Sequence, residues 1–230
     1  MSNIRLPKID LFCLASGPSL TKEDCDLVSS TGVKILAVNN SWKLTPRCDF
    51  LFAGDIKWWN AYAKEVPDKI RKYTSSKKAA AKFGINFFPA SGAFNSGMRA
   101  LVWALHNGFK NIVLLGFDCS VKKGVHWHGL HNKKLGLSNP DKSKTKSWHL
   151  HFLDVYSKAL KFEAAIVNCS RYTELGCFPI ASLEHVLGLP ENIKSKEVKK
   201  VKETKENVMV KVKKSKEDIN NVKASQNYER

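Results

Sequence analysis

The chain has 230 residues, 43% of them hydrophobic, and a formal net charge of +17. That length holds one large domain or two small ones, and the apolar fraction is ample for a core. No run of eighteen apolar residues occurs, which argues against a transmembrane helix, and six scattered cysteines without a CxxC pair argue against a zinc ribbon. Cys13, Cys119 and Cys169 stand in or beside apolar runs, where a free thiol is a small buried hydrophobe. The opening residues lack a signal-peptide core, because Asp10 interrupts it, so a cytoplasmic protein is expected. Residues 1–189 carry 26 Lys+Arg against 14 Asp+Glu, and residues 190–230 carry 12 against 7. The excess is thus spread over the folded part as well as the tail. It favours anionic partners such as nucleotides or nucleic acid, and its dull rival is a lysine-rich solvated surface.

In chain order, Ile9–Ala15 reads as a buried first strand entering the turn Ser16-Gly17-Pro18-Ser19-Leu20. Thr21-Lys22-Glu23-Asp24 has the form of a capping box opening a short helix that stops near Gly32. A second strand, Val33–Val38, ends in Asn39-Asn40. A third, Phe50–Ala53, ends in Gly54-Asp55, and Ile56–Tyr62 suits a helix. Residues 64–82 are lysine-rich and weakly patterned, and Ile85–Phe88 is a further strand candidate. Two Ser-Gly pairs, Ser91-Gly92 and Ser96-Gly97, precede a helix over Gly97–Asn107, in which Met98, Leu101, Val102 and Leu105 recur at helical spacing. Gly108 suits its end.

Ile112–Leu115 is the clearest strand and runs into Gly116-Phe117-Asp118. A long polar loop, 119–147, carries the densest cluster of ionisable side chains, His126-Trp127-His128-Gly129-Leu130-His131. A loop of that length is functional or disordered rather than filler. A helix follows over Trp148–Leu160, with Trp148, Phe152, Val155, Tyr156 and Leu160 on one side. Ala165–Asn168 is a strand ending in Cys169-Ser170-Arg171, and Ala181–Leu187 a last helix. Beyond Pro190, lysine alternates with acid almost without aromatic residues, which predicts a disordered or loosely helical basic tail over 190–230.

Strands alternating with helices predict an α/β fold: a three-layer Rossmann-like domain over 1–189 with a mainly parallel sheet. Ligands of such folds bind outside the carboxyl ends of the strands, where the polar clusters at 16–19, 39–40, 54–55, 118 and 170–171 fall. The Ser16–Ser19 turn puts small residues beside a helix N-terminus, a place where backbone N–H groups hold phosphate. It is neither a Walker A loop nor GxGxxG, and the plain rival is a capped strand-to-helix turn. Ser96-Gly97 repeats the device, with Arg99 either meeting phosphate or facing solvent. Histidine titrates near neutrality, so one of His126, His128 or His131 is a candidate general base or acid. HxHxxH can also supply three nitrogen ligands to zinc. Asp118 is placed to orient a histidine or a sugar hydroxyl, or only to cap a turn. Trp42, Trp58, Trp59 and Trp127 fall near strand ends, where a base can stack on an aromatic ring; Trp58-Trp59 fits better as one buried and one half-buried helix residue.

The series Ser16-Gly17-Pro18-Ser19-Leu20, Asn39-Asn40, Ser96-Gly97, Leu114-Leu115-Gly116-Phe117-Asp118 and the histidines at 126–131 resembles the bacterial CMP-sialic-acid-dependent sialyltransferases. It is also similar to the motility accessory factors and the 6-hydroxymethylpterin diphosphokinases that share their nucleotide-binding core, and to small bacteriophage proteins. The likeness covers about residues 9–180. It implies a Rossmann-like domain that binds a cytidine nucleotide without metal. Ser16, Gly17, Pro18, Ser19, Asn40, Ser96 and Gly97 would be nucleotide contacts, and one of the three histidines the base. Position 16 is Ser where the sialyltransferases have Asn, and their phosphate-holding tyrosines have no counterpart in 119–147. The expectation is a nucleotide-dependent, glycosyltransferase-like enzyme needing no cofactor besides its nucleotide-activated donor. Asn39, Ser170 and Arg171 complete the expected binding set, with Arg171 or loop lysines at the leaving phosphate. An anionic acceptor is expected, and the basic surface admits DNA. A diphosphokinase-like phosphotransferase, which would need Mg²⁺ at Asp55 and Asp118, and a non-catalytic nucleotide- or nucleic-acid-binding protein are the alternatives.

Overall fold

The structure, a computed structural model, describes residues 8–190 apart from 91 and 93. The chain divides into units at Leu187/Gly188, and the first carries the fold below. Seven parallel strands form one sheet: β1 (Leu11–Leu14), β2 (Lys34–Val38), β3 (Phe50–Phe52), β4 (Arg71–Thr74), β5 (Asn86–Phe87), β6 (Asn111–Leu115) and β7 (Ala165–Asn168), in the order β5-β4-β3-β2-β1-β6-β7. The chain steps outward from β1 to β5, then crosses to the other side of β1 and continues to β7. The order therefore reverses between β1 and β6. Leu11–Leu14 pairs in register with Lys34–Ala37 on one side and Ile112–Leu115 on the other.

A parallel sheet covered on both faces needs strands that are apolar throughout, which is why β1 and β6 read so clearly. Successive residues serve opposite layers. Leu11 and Cys13 of β1 join Leu36, Ile112 and Leu114 in one core, beneath α4 (Ser96–His106) and α5 (Lys142–Lys161). Phe12 and Leu14 join Ile35, Ala37 and Val113 in the other, beneath α1 (Lys22–Ser30), α2 (Ile56–Tyr62), α3 (Lys77–Phe83) and α6 (Leu183–Val186). The domain is the expected three-layer α/β arrangement, with the sheet parallel throughout.

Several expectations shift in detail. The weakly patterned stretch 64–82 contains β4 and all but the last residue of α3. β4 lies near the sheet edge, where Arg71 stays exposed and Lys72 and Tyr73 half-buried, so no apolar run marks it. Trp58 and Trp59 are both buried, packed edge to face at 4.9 Å. α5 begins at Lys142, six residues before the expected start, with Asp141 accepting from the Lys144 N–H at its N-cap. Its buried side is Thr145, Phe152, Val155 and Ala159, whereas Leu160, placed on that side by spacing, is exposed. Thr21 caps α1 by accepting from the Asp24 N–H; the Asp24 carboxylate is taken by Arg171 instead of closing the capping box. Cysteines 13, 25, 48, 119 and 169 are buried free thiols, Cys177 half-buried and free. No helix among the described residues is long and apolar enough to cross a membrane. Ser91, and the tail from 191 on, lie outside the described residues.

Candidate functional site

A solvent-open cleft of about 230 Å³ lies outside the carboxyl ends of β1, β2, β3 and β6, over the point where the strand order reverses. This is where ligands bind in open α/β sheets, since connections leaving the two strands diverge to opposite faces and leave a crevice. The volume lies below the ~300–1,000 Å³ of most small-molecule sites, so a larger ligand would project through the open mouth.

The floor is made by two loops crossing closely. The Gly17 N–H donates to the Gly116 carbonyl at 2.9 Å, continuing the β1–β6 ladder past the last paired residues. A Cβ on Gly17 would stand 2.2 Å from Asp118 Oδ1 and 2.4 Å from the Gly116 oxygen. Only glycine fits there, and that is the physical content of the Gly in the Ser16–Ser19 turn. Asp118 is buried and ties the two loops together: its carboxylate accepts from the Ser19 N–H at 3.0 Å and from Ser19 Oγ at 2.6 Å. Burial pushes the Asp118 carboxyl up to about 6, against the Ser19 hydrogen bonds that favour its charged form.

The second wall is the start of α4. Asn95 caps it through the Met98 N–H, and Ser96 Oγ accepts from the buried Gly54 N–H at 3.1 Å. Asn39, at the end of β2, lines the same cleft in a left-handed conformation (φ 51°), with its Oδ1 buried and unpartnered. Cys119 shares that conformation (φ 49°), and its carbonyl accepts from His149 Nε2 at 3.2 Å. Two non-glycine residues held left-handed at one cleft store backbone strain where a site would use it.

The histidine loop closes over the first turn. The Trp127 N–H donates to the Ser16 carbonyl at 3.1 Å, and Ser16 Oγ stands 3.3 Å from His126 Nδ1. The rings of His126, His128 and His131 form a triangle, with centroids 5.0 Å (126–128), 4.7 Å (126–131) and 5.1 Å (128–131) apart. Each ring holds one buried nitrogen without a hydrogen-bond partner: Nε2 of His126, Nε2 of His128 and Nδ1 of His131. Burial first, and the neighbouring rings second, hold His126 and His128 down to about 4; burial lowers His131 too. All three imidazoles are therefore neutral at pH 7, with lone pairs to give.

Of the residues expected from sequence, Ser16, Gly17, Asn39, Ser96 and Gly97 border the cleft, as do Asp55, Trp58, Asp118, His126, His131 and, of the loop lysines, Lys144. The others do not. Pro18 lies against Gly124 and Ser19 is occupied by Asp118. Asn40 is buried, accepting from Trp58 Nε1 at 2.6 Å. His128 contacts both neighbouring rings without bordering the cleft. Ser170 is a brace: its Oγ accepts from the Phe117 N–H at 2.8 Å and donates to Asn168 Oδ1 at 2.7 Å. Arg171 grips the buried Asp24 and reaches Glu184 at 2.7 Å. It has no free face for a phosphate, because both edges of its guanidinium are filled by carboxylates. Arg99 is likewise engaged, by Ser75 at 2.6 Å.

Sequence reasoning missed the wall supplied by α5, Thr145, Trp148 and Phe152, and had its Lys144 only as one of the loop lysines. The available signal was Pro140-Asp141, a turn residue followed by a helix N-cap. Asp55 and Trp58 complete the rim from the β3 side. No family model, curated protein or solved structure matches the chain.

Proposed function

We propose that the protein is a nucleotide-dependent transferase, most simply a glycosyltransferase-like enzyme, whose donor lies between the Ser16-Gly17 turn and the start of α4. One observation carries this reading. Two phosphate-type turns, a buried carboxylate and neutral imidazoles from four distant segments meet at the crevice over the strand-order reversal. Backbone N–H groups at Ser96 and Gly97, at the positive end of an eleven-residue helix, suit a donor phosphate. Half-buried Trp148 offers aromatic surface for a base. Lys144, whose Nζ has only a 3.3 Å bond to the Asn139 carbonyl and Asp141 at 4.0 Å, replaces Arg171 as the cation for the leaving phosphate.

In the proposed step the acceptor oxygen attacks the donor carbon as its proton passes to the histidine cluster. The carbon–oxygen bond to phosphate breaks, and the electron pair leaves on the phosphate oxygen. The motif likeness to the sialyltransferases makes a cytidine nucleotide the first donor to try. The segment 119–147, a loop running into the first turns of α5, has seven lysines against one acid and suits an anionic acceptor, DNA included. A second reading, diphosphate transfer, gains from Asp55 and Asp118 bordering one cleft, since Mg²⁺ on a phosphate substrate takes one or two carboxylates. A thermal-shift screen of nucleotides and nucleotide sugars, with and without Mg²⁺, tests both. Ligand at a hundred times its dissociation constant adds about 2.7 kcal/mol. No shift from any nucleotide overturns the transferase reading.

A further inference from the structure

At the amino ends of β3 and β4, the end of the sheet opposite the cleft, Arg47, Cys48, Asp49, Lys69 and Arg71 line a second concavity of about 320 Å³. It shares no lining residue with the cleft. Two tight turns present its basic groups. Arg47 stands third in a turn closed by the Cys48 N–H on the Thr45 carbonyl at 2.9 Å, with Pro46 presetting the bend. Lys69 stands third in a turn closed by the Ile70 N–H on the Pro67 carbonyl at 3.2 Å. The Arg71 N–H donates to the Asp49 carbonyl at 3.1 Å and joins the two segments, while Cys48 and Ile70 anchor them in the core. The cations are thus carried on fixed backbone.

Their charge is not met within the protein. The Asp49 carboxylate accepts from Lys34 Nζ at 2.6 Å and from the Ile35 N–H at 3.0 Å, and Asp68 pairs with Lys72 at 3.1 Å. Both neighbouring acids are therefore taken. Among the described residues, no carboxylate or other hydrogen-bond acceptor engages the side chains of Arg47, Lys69 or Arg71. The Arg71 guanidinium lies over the Phe50 ring, 4.3 Å from its centroid. Stacking holds that group and leaves its edge N–H donors open. Arg171, with carboxylates on both edges, is the opposite case. Three like charges around one concavity repel, and a bound anion relieves the repulsion.

We propose that this concavity binds an anion carrying two or more phosphate groups. Arg47 and Arg71 would take phosphate oxygens through their planar forks, and Lys69 would add a point charge. One dianionic phosphate leaves one of the three cations unmet, whereas a diphosphate, or successive phosphates of a nucleic-acid strand, meets them all. The volume falls within the ~300–1,000 Å³ of small-molecule sites. The site lies away from the proposed donor cleft and does not rest on the transferase reading.

The test is isothermal titration calorimetry on the full chain, without metal. Pyrophosphate and a single-stranded thymidine oligonucleotide are the probes, and sulfate is the control for plain charge attraction. Expected is saturable binding that weakens with salt. Arg47→Ala and Lys69→Ala each weaken it about threefold, and together about tenfold. Lys78→Ala, at an exposed lysine of α3 outside the concavity, leaves it unchanged. Arg47 and Lys69 are exposed turn residues, and an unchanged urea midpoint verifies that the variants fold. A variant-sensitive pyrophosphate response retains the proposal with a free polyphosphate as ligand; a variant-sensitive response to the oligonucleotide alone retains it with a nucleic-acid backbone. No binding by the wild type, binding unaltered in the double variant, or sulfate held as tightly as pyrophosphate overturns it. Nucleotide in the cleft responds to Ser16→Ala instead, so either site can fail without the other.

Discussion

The turn after β1 and the turn after β7 began as the same kind of sequence, serines and a glycine or arginine at a strand's carboxyl end, and they have come to opposite uses. The first opens into the cleft, with Ser16 beside a histidine and Gly17 against the neighbouring loop. The second is consumed internally, with Ser170 bracing the backbone after β6 and Arg171 locked between Asp24 and Glu184. Position in the sheet separates them. β1 flanks the reversal of strand order, where connections part and leave a crevice, while β7 is an edge strand, and Arg171 just beyond it reaches Asp24 of α1 and Glu184 of α6. A polar strand end is a site or a clamp according to what its neighbours leave open.

That contrast can be broken or sharpened by substitution. The largest effect is expected at Arg171. Arg171→Ala strands the Asp24 carboxylate, which is 2% exposed, and should cost about 3 kcal/mol in urea unfolding, the penalty of a buried charged acceptor left without its half-exposed partner. The nucleotide-induced thermal shift of the remaining folded protein should persist. A shift lost with unchanged stability would make Arg171 a ligand contact after all.

Next comes Asp118. Its folded carboxyl sits at about 6, above the ordinary 3.8. Between pH 4 and 6 the folded chain thus holds a proton the unfolded chain has released, and stability falls as pH rises through that window, by up to about 3 kcal/mol. The histidines, lowered to about 4, give the opposite slope. The measurement is therefore wild type minus Asp118→Asn across pH 4–7, and a flat difference would remove Asp118 from the pH account. Gly17→Ala should cost about 1–3 kcal/mol through overpacking, since its Cβ meets backbone and carboxylate rather than a movable side chain, and should close the cleft to ligand. The smallest stability change belongs to Ser16→Ala, within about 0.5 kcal/mol. The nucleotide shift should shrink in that variant, and an unaltered shift would place the donor elsewhere.

What could be read from the chain follows the physics of burial. β1, β2, β6 and β7 are covered on both faces and announce themselves as apolar runs, and α4 carries its cap and its periodicity in plain order. β4 escaped because, one strand in from the sheet edge, it leaves Arg71 exposed and Lys72 and Tyr73 only half-buried. The start of α5 escaped because its first turns are lysines and serines, whose amphipathic signal is weak.

The sequence by itself determined the alternating α/β plan, the turns that end each strand and the three histidines within six residues, because each depends on neighbours along the chain. Only the tertiary structure decided that β6 lies beside β1, so that Asp118 meets Ser19 across ninety-nine residues. It alone decided that Arg171 is spent on Asp24, and that His126 and His131 border the cleft while His128 does not. Those outcomes rest on which strands pair and which loops then cross, and pairing is settled by burying two apolar faces at once, a property no local stretch carries.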